Sequence, residues 1–229
     1  MGRIKRRYKN VNRYILEGAI GEFASGLAPG AVVIDVGAGS GHYRGLFPGM
    51  RYVAVDMGLE QKSRKGLDVA ADVRALPFGD ACADAAVCIE VMEHVFDAGA
   101  LLAEIKRVLR PGGRLLLTTP LCLGEHMQPY DYFRYTRYGL EKTVSASGLQ
   151  LVKVEPRGGY FVFLAFHLRK FPEYLSSSSR RPGMAGKALK RLLNPVFTYL
   201  IPFVLLRFDR LDARKETTIG FVCLVEKTR

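Results

Sequence analysis

A doubly wound, mostly parallel α/β sheet is the fold class this sequence predicts, and three observations predict it. β-branched apolar runs break into glycine or end on aspartate, as in AVVIDVGAG (residues 31–39) and YVAVD (residues 52–56). Stretches with apolar residues at three- and four-residue steps alternate with those runs. The 229 residues, 48% hydrophobic and 24% charged, suit one principal domain with elaborations and exclude wholesale disorder or a disulfide scaffold.

Each element follows in order. Over residues 8–27, Val11, Tyr14, Ile15, Ala19, Ile20 and Phe23 form an amphipathic helical stripe that Gly26 and Pro29 end. AVVIDVGAG is then a strand buried on both faces, with a glycine loop and a helix expected after it. Further strands are expected at 52–56, 85–89 and 114–119. Between the last two, Leu101, Leu102, Ile105, Val108 and Leu109 line a helix over 98–109, stopped by Pro111-Gly112-Gly113. Residues 136–147 read as a helix, 149–155 as a strand and 217–226 as a last strand.

Charge divides the chain. The net +12 comes from the flanks, with +4 in residues 1–30 and +9 in 151–229, while 31–150 is near neutral. An anionic surface or substrate is therefore expected beside the core. The four cysteines, Cys82, Cys88, Cys122 and Cys223, have no zinc-like spacing, so a reduced compartment and no metal site are expected. No apolar signal core follows the basic start, which points to the cytoplasm.

The sharpest signal is Asp35-Val36-Gly37-Ala38-Gly39-Ser40-Gly41, where glycines let a ligand approach the backbone. The Gly-x-Gly-x-Gly spacing lacks the final glycine of a dinucleotide loop, since residue 42 is His. Asp35 would repel a pyrophosphate and suits a ligand with a cationic amine. Asp56, at the tip of the next strand, can accept hydrogen bonds from both hydroxyls of a ribose. These residues have other uses: a strand-terminal Asp can cap a helix, and Gly41 can serve close packing.

With DVRALPF from Asp72, IEVMEHV from Ile89 and LLAEIKRVLRPGGRLLLTTP from Leu101, the pattern from Val32 to Pro120 resembles the class I S-adenosylmethionine-dependent methyltransferases, particularly their broad small-molecule group. The resemblance implies a Rossmann-like seven-stranded sheet whose last strand inserts antiparallel between the fifth and sixth. It implies that Asp35, Gly37, Gly39 and Gly41 hold the methionine part of S-adenosyl-L-methionine, Asp56 the ribose, and Asp72 with Val73 the adenine edge. Glu90, at the fourth strand's tip, would sit beside the sulfonium. Ala83-Asp84 departs from the family, which usually has an aromatic before that Asp.

Methyl transfer from a sulfonium asks mainly for in-line placement of the acceptor. A hydroxyl acceptor adds a need for a nearby base. Residues 124–140 resemble an HxxPxDxxRxTxxGL stretch of this group, which makes His126 the candidate base or orienter, unless it merely bonds Asp131 or a carbonyl. Asp131 and Arg134, three apart, suit a structural pair. Glu93 and His94 fall in a turn where capping is as good a reading as acceptor contact. IEVMEH stands where base N-methylating enzymes carry Asn/Asp-Pro-Pro-aromatic, which disfavours that chemistry.

Residues 157–216 form a basic, apolar insertion, so that residues 1–30 make a basic N-terminal helix and 31–156 with 217–229 the ligand-binding domain. GYFVFLAFHL and VFTYLIPFVLL are each about half the length needed to span a bilayer. SSSSRRPG (residues 176–183) reads as a flexible basic loop. Lys187, Lys190 and Arg191 beside Leu189, Leu192 and Leu193, with Arg3, Lys5, Arg6, Arg7 and Lys9, fit an interfacial helix on an anionic membrane. A lid over the acceptor pocket or a dimer interface fits the same pattern.

The function expected is methylation of a hydroxyl or carboxyl on a small-molecule, glycan or lipid-linked acceptor, in the cytoplasm or peripheral to its membrane. An RNA methyltransferase, for which no recognisable RNA-binding module is present, and a catalytically inactive cofactor-binding module are the alternatives. An oxidoreductase is disfavoured by the glycine spacing.

Overall fold

The computed structural model describes residues 10–58, 63–176 and 184–228. Seven strands form one sheet: β1 Val32–Val36, β2 Arg51–Asp56, β3 Val69–Ala70, β4 Ala83–Ile89, β5 Leu109–Pro120, β6 Gln150–Pro156 and β7 Gly220–Glu226. Their order is β3-β2-β1-β4-β5-β7-β6. The pairs β1 with β2 and β4, β2 with β3, and β4 with β5 are parallel; β7 pairs antiparallel with β5, Leu117 lying opposite Cys223. The last strand therefore lies between the fifth and sixth, as the family resemblance implies.

Chain segments separate into two compact units. The first holds Glu17–Glu155 with Gly220–Arg229, and the second holds the described residues up to Leu16 with Pro156–Ile219. The boundary falls inside helix α1, Val11–Ser25. In the sheet unit, α2 (Ala98–Val108) lays Leu101, Leu102, Ile105 and Val108, all buried, onto the core of β1, β4 and β5. Asp97 caps it by accepting from Ala100 N. Helix α3, Arg137–Ala146, starts on Thr136, whose hydroxyl accepts from Gly139 N at 3.1 Å.

Three expectations need correction. No α-helix follows the glycine loop among the described residues; only a 3-10 turn, Arg44–Leu46, precedes β2. Gly37, Gly39, Gly41, Gly45, Pro48 and Gly49 crowd the connection, and each opposes helix propagation. The two-residue β3 carries too little pattern to read from sequence. Finally, α2 stops at Val108, and Pro111-Gly112-Gly113 lies within β5, where its register against β4 shifts.

In the second unit, α4 (Tyr160–Leu168) has its N-terminal amides satisfied by acids from far along the chain. Asp209 Oδ1 accepts from Gly159 N at 2.9 Å and Val162 N at 3.1 Å, and Asp212 Oδ2 from Tyr160 N at 2.7 Å. Buried Arg157 donates to Asn12 Oδ1 at 2.9 Å. After α5 (Phe171–Ser176), α6 (Met184–Pro195) and α7 (Ile201–Phe208) are joined through a π-turn, Val196–Leu200. Sequence reading separates VFTYLIPFVLL from the basic stretch before it, but Pro195 only shifts the hydrogen bonding into that π-turn. One helix of 26 residues results, Gly186–Leu211, long and apolar enough by length and composition to cross a bilayer. Of SSSSRRPG only Ser176 is described, and Arg3, Lys5, Arg6, Arg7 and Lys9 lie outside the described residues.

Leu117 sits at the centre of β5 with no solvent exposure, so Leu117→Ala leaves a cavity between α2 and the sheet. The expected cost is about 2–5 kcal/mol, read as a lower urea midpoint at unchanged slope.

Candidate functional site

The carboxyl ends of β1, β2, β3 and β4 meet at one edge, and the glycine bend after β1 organises them. Gly37 and Ala38 both donate to Val55 O, at 2.8 and 2.9 Å, which folds the bend back over β2. A side chain at Gly37 would strike Val91 at the end of β4, and Gly37 has φ +78°, a region that only glycine enters freely. One at Gly41 would lie 2.7 Å from the Gly66 carbonyl. Gly41 thus serves close packing. Gly39 is different: a Cβ there would meet nothing within 4 Å, so the bend is open on that side.

Asp56 ties the bend to β2. Its Oδ2 accepts Gly39 N–H at 3.0 Å and its Oδ1 accepts Gly58 N–H at 2.9 Å, leaving further lone pairs on both oxygens. Its backbone carbonyl accepts from Ala71 N at 3.0 Å, which brings Asp72 and Val73 beside it. Asp72 is engaged by Arg74 through a 2.6 Å ion pair, which holds its carboxyl below the usual range. Val73 is buried in the core.

Asp35 takes a place the sequence does not announce. Its carboxyl is buried, with 1% exposure, and accepts a short hydrogen bond from the Tyr52 hydroxyl. Tyr52 stands opposite Val33, so its ring reaches the residue two positions along the same face of β1. Burial raises the Asp35 pKa to about 7, against the lowering effect of Tyr52. Asp35 therefore supports the sheet edge through Tyr52, and its charge is not displayed on the bend's open side. Arg44 adds a clamp, donating to Asp68 at 2.5 Å and to Tyr52 O at 3.1 Å.

Glu90 closes β4 in the left-handed region, φ 57°. Its Oε1 accepts from Thr118 Oγ1 at 3.2 Å, linking the tips of β4 and β5. Beyond it, the Glu93 carbonyl accepts from Tyr132 N and Phe133 N at 2.9 and 3.2 Å, which draws the segment after β5 over the β4 turn. Asp131 and Arg134 form a two-point pair at 2.7 and 2.8 Å, the structural role read from sequence, and Arg134 holds the Asp131 carboxyl well below the usual range.

His126 is one of two histidines here. Its Nδ1 lies 3.1 Å from Gly124 O, and its Nε2 lies 3.0 Å from Nε2 of His94. His94 Nδ1 lies 2.7 Å from Tyr130 O, and burial pushes its pKa below the usual imidazole range. Sequence reading treats His94 as part of a turn; the 32 residues separating it from His126 hide the pairing. Exposed Phe96 packs edge-on to Tyr132 at 5.6 Å, giving this end an aromatic wall.

Residues 34–117 match a family model described as a methyltransferase domain. The chain is 33% identical over 106 residues to a tRNA (carboxymethyluridine(34)-5-O)-methyltransferase of Arabidopsis thaliana, across 43% of this chain and 26% of that protein. It spans less than half the length of the curated relatives it matches. Among solved structures it is similar to the [4+2]-cyclase SpnF, with TM-score 0.60 and 17% identity over 95% of this chain and 80% of that one. It is also similar to the Burkholderia thailandensis 1,6-didemethyltoxoflavin-N1-methyltransferase, solved with its substrate and S-adenosylhomocysteine. There the TM-score is 0.57 with 20% identity, over 94% of this chain and 79% of that one. At such identities the likeness shows the fold, and the cyclase shows that the fold alone does not fix the reaction.

Folded Asp35 keeps its proton to about pH 7, whereas the ordinary value is 3.8. The folded state thus binds the extra proton between those values, and the stabilisation from Asp35, full below pH 4, is lost as pH rises to about 7. Relative to Asp35→Asn, the protein should lose up to about 1.4 kcal/mol per pH unit over that window and level off above it, measured by urea unfolding at stepped pH.

Proposed function

We propose, from the premise that residues 34–117 form a methyltransferase domain on a class I fold, that this chain is an S-adenosylmethionine-dependent methyltransferase. Its acceptor is a hydroxyl or carboxyl on a small-molecule, glycan or lipid-linked compound. One observation carries the cofactor reading: Asp56 offers free lone pairs beside a glycine bend that is open above Gly39. The missing helix after the bend leaves no helix N-terminus to seat a pyrophosphate, which disfavours a dinucleotide.

Bound there, S-adenosylmethionine supplies a sulfonium methyl whose transfer leaves a neutral thioether. Asp56 accepts from the ribose hydroxyls, and Gly37, Gly39 and Gly41 present backbone to the methionine part, with Asp35 supporting them through Tyr52. Val73 lines the adenine edge beside Asp72. Glu90, fixed by Thr118, would stand beside the sulfonium. His126 orients the acceptor, with the edge-on rings of Phe96 and Tyr132 as an apolar wall beside it. The relative named as a tRNA methyltransferase keeps RNA among the acceptors to be tried.

The second unit supports an interfacial role in the cytoplasm, at an anionic membrane. Leu189, Leu192, Val196, Tyr199 and Phe203, all exposed, recur at three- and four-residue steps along the long helix. Lys187, Lys190 and Arg191 precede the uncharged stretch Leu192–Leu206, and Arg207 follows it. That stretch is about 22 Å long, short of the roughly 30 Å hydrocarbon core, so lying in the interface suits it better than crossing. Residues 157–216 carry 12 Lys/Arg against 4 Asp/Glu, which favours anionic lipid.

A labelled-methyl screen over lipid, sugar and RNA extracts should give one labelled product class, and Asp56→Ala should lower labelling by about 100-fold, in line with about 3 kcal/mol for two charge-assisted hydrogen bonds. No label in any extract would contradict the reading. Vesicles containing phosphatidylglycerol should sediment the protein at low salt. Replacing Lys187, Lys190 and Arg191 with Glu should weaken this by about 100-fold or more, at about 1 kcal/mol per basic residue. Protein left in the supernatant at low salt would remove the membrane role.

A further inference from the structure

The two histidines after β4 and β5 present a conflict of lone pairs. A carbonyl oxygen can only accept, so the Nδ1 contacts to Tyr130 O at 2.7 Å and Gly124 O at 3.1 Å place a proton on Nδ1 of both rings. The neighbouring Asp131 oxygens, 3.8 Å from His94 Nδ1 and 3.4 Å from His126 Nδ1, are acceptors too and reinforce that tautomer. In their neutral forms, both rings therefore direct an Nε2 lone pair at the other across 3.0 Å. Two lone pairs repel at that distance unless a metal ion or a shared proton lies between them.

A third donor completes the group. Glu93 is fully buried, and its Oε1 is 3.7 Å from His94 Nε2. Ligand atoms of Glu93, His94 and His126 all lie within 4.8 Å of one another. Around a tetrahedral ion with bonds of about 2.0–2.1 Å, ligand atoms stand about 3.3–3.4 Å apart, and the separations of 3.0 Å between the two Nε2 atoms and 3.7 Å from His94 Nε2 to Glu93 Oε1 bracket that edge. The Nδ1 contacts are the outer hydrogen bonds that orient metal-bound imidazoles. Glu93 and His94 come from the β4 turn and His126 from the segment after β5; the backbone bonds from Glu93 O to Tyr132 and Phe133 hold the two together.

We propose that Glu93, His94 and His126 form a binding site for a zinc-type divalent cation, held by two imidazoles and one carboxylate with a fourth position open. A buried carboxylate partly neutralises the ion, and two nitrogens with one oxygen match the preferences of zinc among common cations. Aspartate and arginine at 131 and 134 neutralise each other and add no net repulsion. The open position takes an oxygen of the acceptor, lowering the pKa of a hydroxyl there. That use rests on the methyl-transfer reading; the site itself does not. His126 thereby orients the acceptor through the ion.

Zinc titrated in competition with a chromophoric chelator, under a phosphine reductant, tests the site. The expected result is one zinc per chain, an affinity weakened about 100-fold or more by His94→Ala and by His126→Ala, and no change with Cys122→Ser. Cobalt bound in its place should show the intense visible bands of a tetrahedral ion. Unfolding midpoints and S-adenosylmethionine binding of the same variants separate loss of the metal site from loss of fold or cofactor seat. Absence of stoichiometric zinc, or an affinity that survives both histidine replacements, overturns the proposal. So do nitrogen-15 imidazole spectra, unchanged by zinc, that show a proton shared between the rings.

Discussion

The bend after β1 leaves no room for a side chain at Gly37 or Gly41, and the candidate site depends on that constraint. Val91 occupies the space a side chain at Gly37 would need, and the Gly66 carbonyl occupies that at Gly41. These two contacts press the bend against the end of β4 and the connection after β2. Gly39 is left with its N–H turned to Asp56 and open space above it. Packing thus sets where the backbone lies, and that position gives Asp56 both its backbone donors and its spare acceptor capacity.

Legibility in the sequence tracked how local the cause was. Strands β1 and β4 and the second half of β5 are largely buried on both faces, and β2 is buried at Tyr52, Ala54 and Val55, so their apolar runs name them directly. The antiparallel placement of β7 came from resemblance, because nothing in GFVCLVE itself records its neighbours. Asp35 was legible as an acid before a glycine loop, but its buried bond to Tyr52 needs the β1–β2 register, which is a tertiary fact. The pairing of His94 with His126 is hidden for the same reason. Strand-to-helix alternation implies a helix after the bend, but the local density of glycine and proline from Gly37 to Gly49 overrides it and leaves only a 3-10 turn.

The two units show different balances of charge and apolar surface. The sheet unit neutralises its charges in pairs, as with Arg107 against Glu104 and Asp80, and Arg110 against Asp84. Asp84, beside the Ala83 that stands where the resembled family usually has an aromatic, is a clamp: it also accepts from Val32 N at 2.8 Å, fastening the start of β1 to β5 through Arg110. The helical unit spends some of its acids on its own backbone, Asp209 and Asp212 satisfying the start of α4. Its basic residues remain beside an exposed apolar stripe. That contrast explains why the net charge of the chain says little about the sheet unit and much about the surface of the helical unit.

Direct calorimetric titration of the purified chain with S-adenosylmethionine, S-adenosylhomocysteine and NADH tests the central claim, that this sheet edge seats an adenosyl nucleoside bearing a sulfonium. The account predicts one-to-one binding of the first two at micromolar concentrations and no heat from NADH. Silence toward both adenosyl ligands at millimolar concentration, or preferential binding of NADH, would contradict it.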